Sequence, residues 1–389
     1  MKKTMKKIVP FLVAMLIGGS IGAMLTKLLL LVDATPGNGE EGGGMTFFIN
    51  FSASFLLLIG AAFLQIILHE AGHLLAGLLT GYRFVSFRIF SFILVRENGR
   101  FRVRRFDIPG TGGQCLMMPP KPYTKAAYGW YLMGGVLLNV LISLLALGYL
   151  AFQGIQQLFP DIFLFLLGLS GIFFAVMNGL PLKLGGIPND GYHFWFCRHE
   201  VRFRDDFYRM LKVHALQCEG ATLANMPKQW FPVPPIVDGS VGSVMPLLLH
   251  ASWCVANFDF VSALDALTKL KPHIAETPLL YRLEWKCEYL FCLLMVHGKS
   301  IEAQELNCSE LRDYVGKSMR FQIGKVRLAH AFALCMEDDL DKADGLKMAA
   351  QSLALKAPNR GEAVQELEII NRVALHYFET KMQLDFSTP

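Results

Sequence analysis

The apolar run from Phe51 to Leu79 is long enough to cross a bilayer, yet it contains His69-Glu70-Ala71-Gly72-His73. Ionisable groups at membrane depth are costly, at least ~2.5 kcal/mol for a centrally placed charge. They are kept where they face a protein interior and bind something. On a helix, His69 and His73 stand four residues apart, so both imidazoles project from one face. Glu70 sits beside them. The spacing predicts two ligands of a metal ion with a carboxylate placed to act as a general base on a water molecule.

Three further stretches are long and apolar enough to span, which with this run gives Ile8–Val32, Phe51–Leu79, Ala126–Phe152 and Ile162–Leu180. The chain is 53% hydrophobic, and the excess lies before about residue 183. The remainder has ordinary polarity and enough length for a core of its own. Lys2, Lys3, Lys6 and Lys7 precede the first stretch, which reads as an uncleaved anchor because no small-residue cleavage site follows it. The next loop, Asp33 to Gly44, has no Lys or Arg. The segment between the second and third stretches has seven arginines from Arg83 to Arg105, followed by Lys121 and Lys125. This alternation predicts both termini on the cytoplasmic side. It also accounts for most of the +5 net charge, leaving no separate case for nucleic-acid binding. The eight cysteines form no C-x-x-C pair and fall on the reducing side, which argues against a disulfide framework or a cysteine metal site.

Tyr82 to Phe106 does not read as helix. Asn98-Gly99 is a hairpin signal, and Phe101 and Val103 alternate with Arg100, Arg102 and Arg104. A β-hairpin is expected that either packs on the polar half or dips toward the bilayer and offers an edge strand. The glycines of Pro109-Gly110-Thr111-Gly112-Gly113-Gln114 suit a close approach of backbone to a ligand. They make Gly112 and Gly113 candidates for holding substrate.

A catalytic metal site of this kind needs a third protein ligand. Asn178-Gly179-Leu180-Pro181 ends the fourth stretch, and Gly185-Gly186 extends the break before Asp190-Gly191 opens a second apolar segment. This reads as a re-entrant loop with Asp190 at the start of the next helix. Asp190 is the leading candidate ligand, with a plain helix cap as its structural alternative. His193 and His199 are the competing ligands, His199 lying among charged residues.

Together H69-E-A-G-H73 in one span, glycines after a hairpin, and N178-x-x-P181 before D190-G191 resemble the site-2 protease family of intramembrane zinc metalloproteases, over roughly residues 50–195. Gly134-Gly135 and Asn139 loosely resemble that family's next span. The resemblance implies that His69, His73 and Asp190 hold Zn2+, that Glu70 activates water, and that Asn178 helps hold the substrate backbone. The substrate implied is a single-span membrane protein or membrane-bound peptide in the lipid bilayer. Eight residues separate Pro181 from Asp190, more than the family's common spacing. A non-catalytic scaffold of the same fold is the alternative, and the intact Glu70 argues against it. A metal transporter or sensor would favour ligating residues along several spans, and the first and third carry no His, Asp or Glu.

Residues 200–240 read as a helix and linker, and 241–389 as paired helices. Ala263, Ala303 and Ala343 recur at a forty-residue period. This resembles tetratricopeptide-type helical hairpins, whose small residue lets paired helices pack. A cytoplasmic protein partner is the expected ligand of such a domain. The expected fold is therefore a mainly α membrane protein: four transmembrane helices, a β-hairpin and re-entrant loop over 1–199, and a cytoplasmic α-helical repeat domain.

Overall fold

The computed structural model describes residue 19 and residues 43–97, 100–105, 112–121, 125–154, 156–184 and 186–387. The expected first span, Ile8–Val32, lies outside the described residues apart from residue 19. Among the described residues, three helices are long and apolar enough to cross a membrane. They are α1 (Gly43–Leu79), α2 (Lys125–Gln153) and α3 (Leu158–Gly179). Helix α3 starts four residues earlier than its apolar stretch suggests. Pro160 falls in its first turn, where a missing N–H costs nothing. Asp161 accepts from the backbone N–H groups of Gln156 and Gln157, at 2.6 Å each.

The three helices pack with their polar groups inward. On α1 the buried positions are Ser54, Ala61, Gln65, His69, Glu70 and His73, one stripe at helical spacing. On α2 they include Tyr131, Gly135, Asn139 and Ser143. Phe48, Phe55, Leu56 and Ile59 point outward and are exposed. An apolar exterior around a polar seam suits a lipid solvent. The α1–α2 crossing is close because Gly72 meets Gly134 and Gly135, and a methyl on any of the three would overlap the opposite helix.

Between α1 and α2 the chain builds four strands, where one hairpin is expected. They are β1 (Arg83–Ile89), β2 (Phe92–Glu97), β3 (Arg100–Arg105) and β4 (Gly113–Met118), in the antiparallel order β3-β2-β1-β4. The expected Asn98-Gly99 hairpin is the β2–β3 pair, with Glu97 opposite Arg100. A second hairpin turns at Phe90-Ser91, with Ile89 opposite Phe92. No Gly or Asn marks that turn, and Phe90 itself adopts a φ of 48°. Its ring stacks on Phe63 of α1 at 5.3 Å. Phe63 lies six residues before His69, about 9 Å further along the helix. The β1–β2 turn therefore reaches the depth of the membrane helix.

Beyond α3, a short ladder pairs β5 (Lys183–Leu184) with β6 (Ile187–Pro188) and leads into α4 (Asp190–His199) and α5 (Val201–Cys218). Val85, Leu116 and Met118 of the sheet form a small core with Ala215 of α5. The segment after α5 is packed rather than loose. Leu223, Met226 and Phe231 share a core with Val213 and Ala256. The rest is helical: α6 (Val241–Ala256), α7 (Phe260–Thr268), α8 (Leu279–His297), α9 (Ile301–Leu306), α10 (Ser309–Ser318), α11 (Ile323–Phe332), α12 (Leu340–Lys356) and α13 (Arg360–Ser387). Three equivalent turns begin α7, α9 and α12. Asp259, Ser300 and Asp339 each accept from the backbone N–H three residues on. The alanines expected to mark the period, Ala263, Ala303 and Ala343, are all buried.

Candidate metal centre

Two of the expected ligands stand on one helix and the third arrives from 117 residues further along the chain. Helical geometry puts His69 and His73 on the α1 face that packs on α2. Their inner nitrogens are fixed by acceptors. His69 Nδ1 lies 2.7 Å from Asn139 Oδ1, and His73 Nδ1 lies 2.7 Å from the carbonyl oxygen of Tyr131. The Asn139 amide is itself oriented, since its Nδ2 donates to the Gln65 carbonyl at 3.0 Å and to Gln65 Oε1 at 2.5 Å. Both imidazoles must therefore carry a proton on Nδ1. In its neutral form each then turns the Nε2 lone pair to the space between them.

Asp190 completes the group. Its Oδ2 lies 3.0 Å from His69 Nε2 and 3.4 Å from His73 Nε2, and the two Nε2 atoms are 3.2 Å apart. A tetrahedral ion with ligand bonds of about 2.0–2.1 Å separates its ligand atoms by roughly 3.3–3.4 Å. The observed triangle fits. With both imidazoles neutral, two nitrogen lone pairs and a carboxylate oxygen face one point, the donor set of a bound cation. His69, His73 and Asp190 could thus hold a metal ion. Second-row partners of this kind, an amide and a carbonyl on the outer nitrogens, fix ligand orientation in metal sites generally.

The expected competition for the third ligand is decided by helix capping. The N-cap of α4 is Asn189, whose side chain accepts from the backbone N–H of Tyr192. That frees the Asp190 carboxylate for the histidines. Asn189 also closes the long break. Its Nδ2 donates to the carbonyls of Met177 and Leu180, and its Oδ1 accepts from the N–H of Leu182. The extra residues before Asp190 are taken up by the β5–β6 ladder, so the longer spacing still delivers Asp190 to the histidines. His193 lies against the rings of Phe203 and Phe207, and burial lowers its pKa. His199 is exposed and sits against Trp195. Neither belongs to the ligand group.

Glu70 is buried beside the group, and Gly113 at the start of β4 lies directly against it. A methyl at Gly113 would overlap the Glu70 carboxyl. Gly112 faces Ile66 of α1. β4 is an edge strand, so its outer side has no strand partner among the described residues. Arg88 holds this arrangement together. It is 1% exposed, and it donates to the carbonyl of Phe90 at 2.8 Å and toward that of Gly113 at 3.4 Å. Tyr131 braces the other end, donating from its hydroxyl to the Cys115 carbonyl at 2.7 Å. Asn178 returns its amide to the Phe174 carbonyl of its own helix at 3.0 Å.

Sequence reasoning did not find Asn189, Gln65 or Arg88. Asn189 carried a usable signal, an Asn immediately before Asp-Gly after a helix break. Gln65 and Arg88 carried none beyond being polar in apolar surroundings. Compared with protein-family models, characterised proteins and solved structures, the chain matches none, so its function must be read from these residues and their geometry.

Proposed function

We propose that this chain is an intramembrane zinc metalloprotease that hydrolyses a peptide bond in or near the transmembrane segment of a membrane protein. The observation that carries the reading is the convergence of two imidazole nitrogens and a carboxylate at 3.0–3.4 Å, with a buried glutamate on the residue next to one of them. Two nitrogens, one oxygen and an open fourth position suit zinc in its catalytic form. Bound there, zinc supplies a lowered water pKa and polarisation of the scissile carbonyl.

The chain's own residues do the rest. Glu70 accepts a proton from the attacking water and returns it to the leaving amine. Asn139 and the Tyr131 carbonyl keep both imidazoles turned to the centre. A helical substrate hides its carbonyls in intrahelical hydrogen bonds, so it must be drawn out before attack. The outer edge of β4, which begins against Glu70, can pair with an extended peptide. Gly112 and Gly113 keep that approach clear of side chains. We assign the helix pairs after residue 240 to tetratricopeptide-like repeats that recruit a cytoplasmic partner or the substrate's soluble part. The buried alanines and the three matching caps support that assignment. The charge pattern favours termini on the cytoplasmic side.

The test is capture followed by cleavage. Full-length Glu70→Gln protein should keep about one zinc per chain and retain single-span membrane proteins that the active chain releases cut. Cleavage of a captured protein should fall by at least ~100-fold in that variant. Equal cleavage by both forms, or no zinc in either, would overturn the reading.

A further inference from the structure

A second site lies outside the metal centre, on the side of the membrane helices that carries α5 and the helical domain. There a cavity of about 540 Å³ opens between the start of α2 and the end of α4. It is lined by Tyr128, Trp130, Met133 and Leu137 of α2 and by Phe194 and Arg198 of α4. Its walls are aromatic and aliphatic, and its one formal charge is Arg198. That guanidinium makes no hydrogen bond or ion pair among the described residues and is exposed. Five donors on a fixed planar fork suit a phosphate oxygen pair.

The surroundings say what kind of phosphate. Trp130 is 57% exposed and lies near the start of the membrane helix α2. Exposed tryptophan at a helix end is the signature of the headgroup layer. From the cavity an exposed apolar stripe continues along α2 through Leu137, Leu141 and Leu144. It runs into the hydrocarbon layer at helical spacing. A soluble anion would use Arg198 and leave this stripe bare. A neutral lipid would cover the stripe and leave the cation without a full counter-charge.

We infer that the cavity between α2 and α4 binds an anionic phospholipid, with its phosphate on Arg198, its headgroup against Trp130 and Tyr128, and an acyl chain along Leu137 and Leu141. A lipid seated there would also pin the end of α4 to α2, eight residues after Asp190.

The experiment is native mass spectrometry of the full chain in detergent, loaded with phosphatidylglycerol or with phosphatidylcholine of the same acyl chains. Wild type should retain phosphatidylglycerol about tenfold better, the scale of a charge-assisted pair. Arg198→Gln should bring the two lipids to parity. Leu137→Trp, which fills the groove and leaves Arg198 in place, should lower retention of both. Metal content and elution volume report whether each variant has folded. Because Leu137 is already exposed, its replacement remains informative if the arginine variant fails that check. Equal retention of the two lipids by wild type would overturn the site. So would displacement of phosphatidylglycerol by excess inorganic phosphate, which would make it a simple anion site. A photocrosslinker at position 137 should label lipid, and labelling of a single-span protein instead would make the groove a substrate path.

Discussion

Buried polar groups occur in both halves of this chain, and they are balanced in opposite ways. In the membrane half, His69, His73 and Asp190 turn two ring nitrogens and a carboxylate oxygen to one point, 3.0–3.4 Å apart. Asn139 and the Tyr131 carbonyl aim the two rings. In the helical half, buried charges pair with opposite charges. Arg327, 2% exposed, donates to both Glu288 oxygens at 2.7 Å, lies 3.4 Å from Glu366, and stacks on Phe291. Lys325, 4% exposed, donates to Glu284 at 2.6 Å, and Tyr314 also donates to Glu284. One arrangement could hold a cation and the other already contains its own. Burial of charge alone therefore does not mark a functional site. The sign balance at the centre of the cluster does.

Removing the ligands should break the comparison most sharply. The double variant His69→Ala with His73→Ala should lose its bound metal entirely, while the helical domain keeps its melting transition. Metal analysis of the purified protein, paired with thermal unfolding, checks both halves at once. Full metal occupancy in the double variant would show that the triangle of acceptors is not the binding site.

The second variant attacks the closed network. Arg327→Ala removes the cation that contacts half-buried Glu288 and buried Glu366, leaving them only the more distant Lys325, which costs about 3–5 kcal/mol. That corresponds to a fall in Tm of roughly 6–20 °C for a domain of this size. Metal content per folded chain should not change. A loss of metal together with stability would show that the two halves fold as one unit.

The third variant is a positioning change in the membrane half. Asn139→Ala should weaken metal affinity by roughly 10–100-fold, the usual range for an outer partner of a ligating histidine. Asn139→Asp, which keeps an acceptor for His69 Nδ1, should recover part of it. A competition titration with a chelator separates the three proteins, and equal affinity in all three would remove Asn139 from the site.

What was legible in the chain follows the same division between local and distant causes. The i, i+4 histidines and the glutamate between them are a local pattern, and metal chemistry constrains it tightly. Asp190 was legible because a broken helix followed by Asp-Gly leaves few other donors at that depth. The apolar runs of α1, α2 and α3 were legible because bilayer thickness sets their length. The rest depends on contacts across tens of residues. Asn139 reaches His69 from 70 residues away, and Arg88 meets Gly113 only after β1 and β4 pair. The β1–β2 turn at Phe90-Ser91 lacks turn residues because its place is set by the Phe63 stack rather than by local backbone preference. Asn189 shows the subtlest case. The choice between cap and ligand for Asp190 turned on its neighbour taking the cap.

The smallest effect on stability concerns Glu366, a buried carboxylate of the helical network that its cations do not fully compensate. Burial pushes the Glu366 pKa up to about 7, with Arg327 opposing and Glu288 adding to the rise. An unfolded chain binds that proton only near the ordinary value of about 4.3. Between those values the folded state binds more protons than the unfolded state, so stability falls as pH rises through the window. His330 works in the other direction. Burial lowers its pKa to about 4, so its contribution is present above its unfolded value near 6.5 and is lost as pH falls toward 4. Glu366→Gln isolates the first effect by removing the proton and leaving His330. Wild type should lose roughly 5–10 °C in Tm relative to Glu366→Gln between pH 5 and pH 8, about 2–3 kcal/mol. Melting curves of both proteins across that range, at constant ionic strength, measure the difference. Parallel curves would mean that Arg327 holds Glu366 ionised throughout, and the helical network would then be as fully paired as its geometry allows.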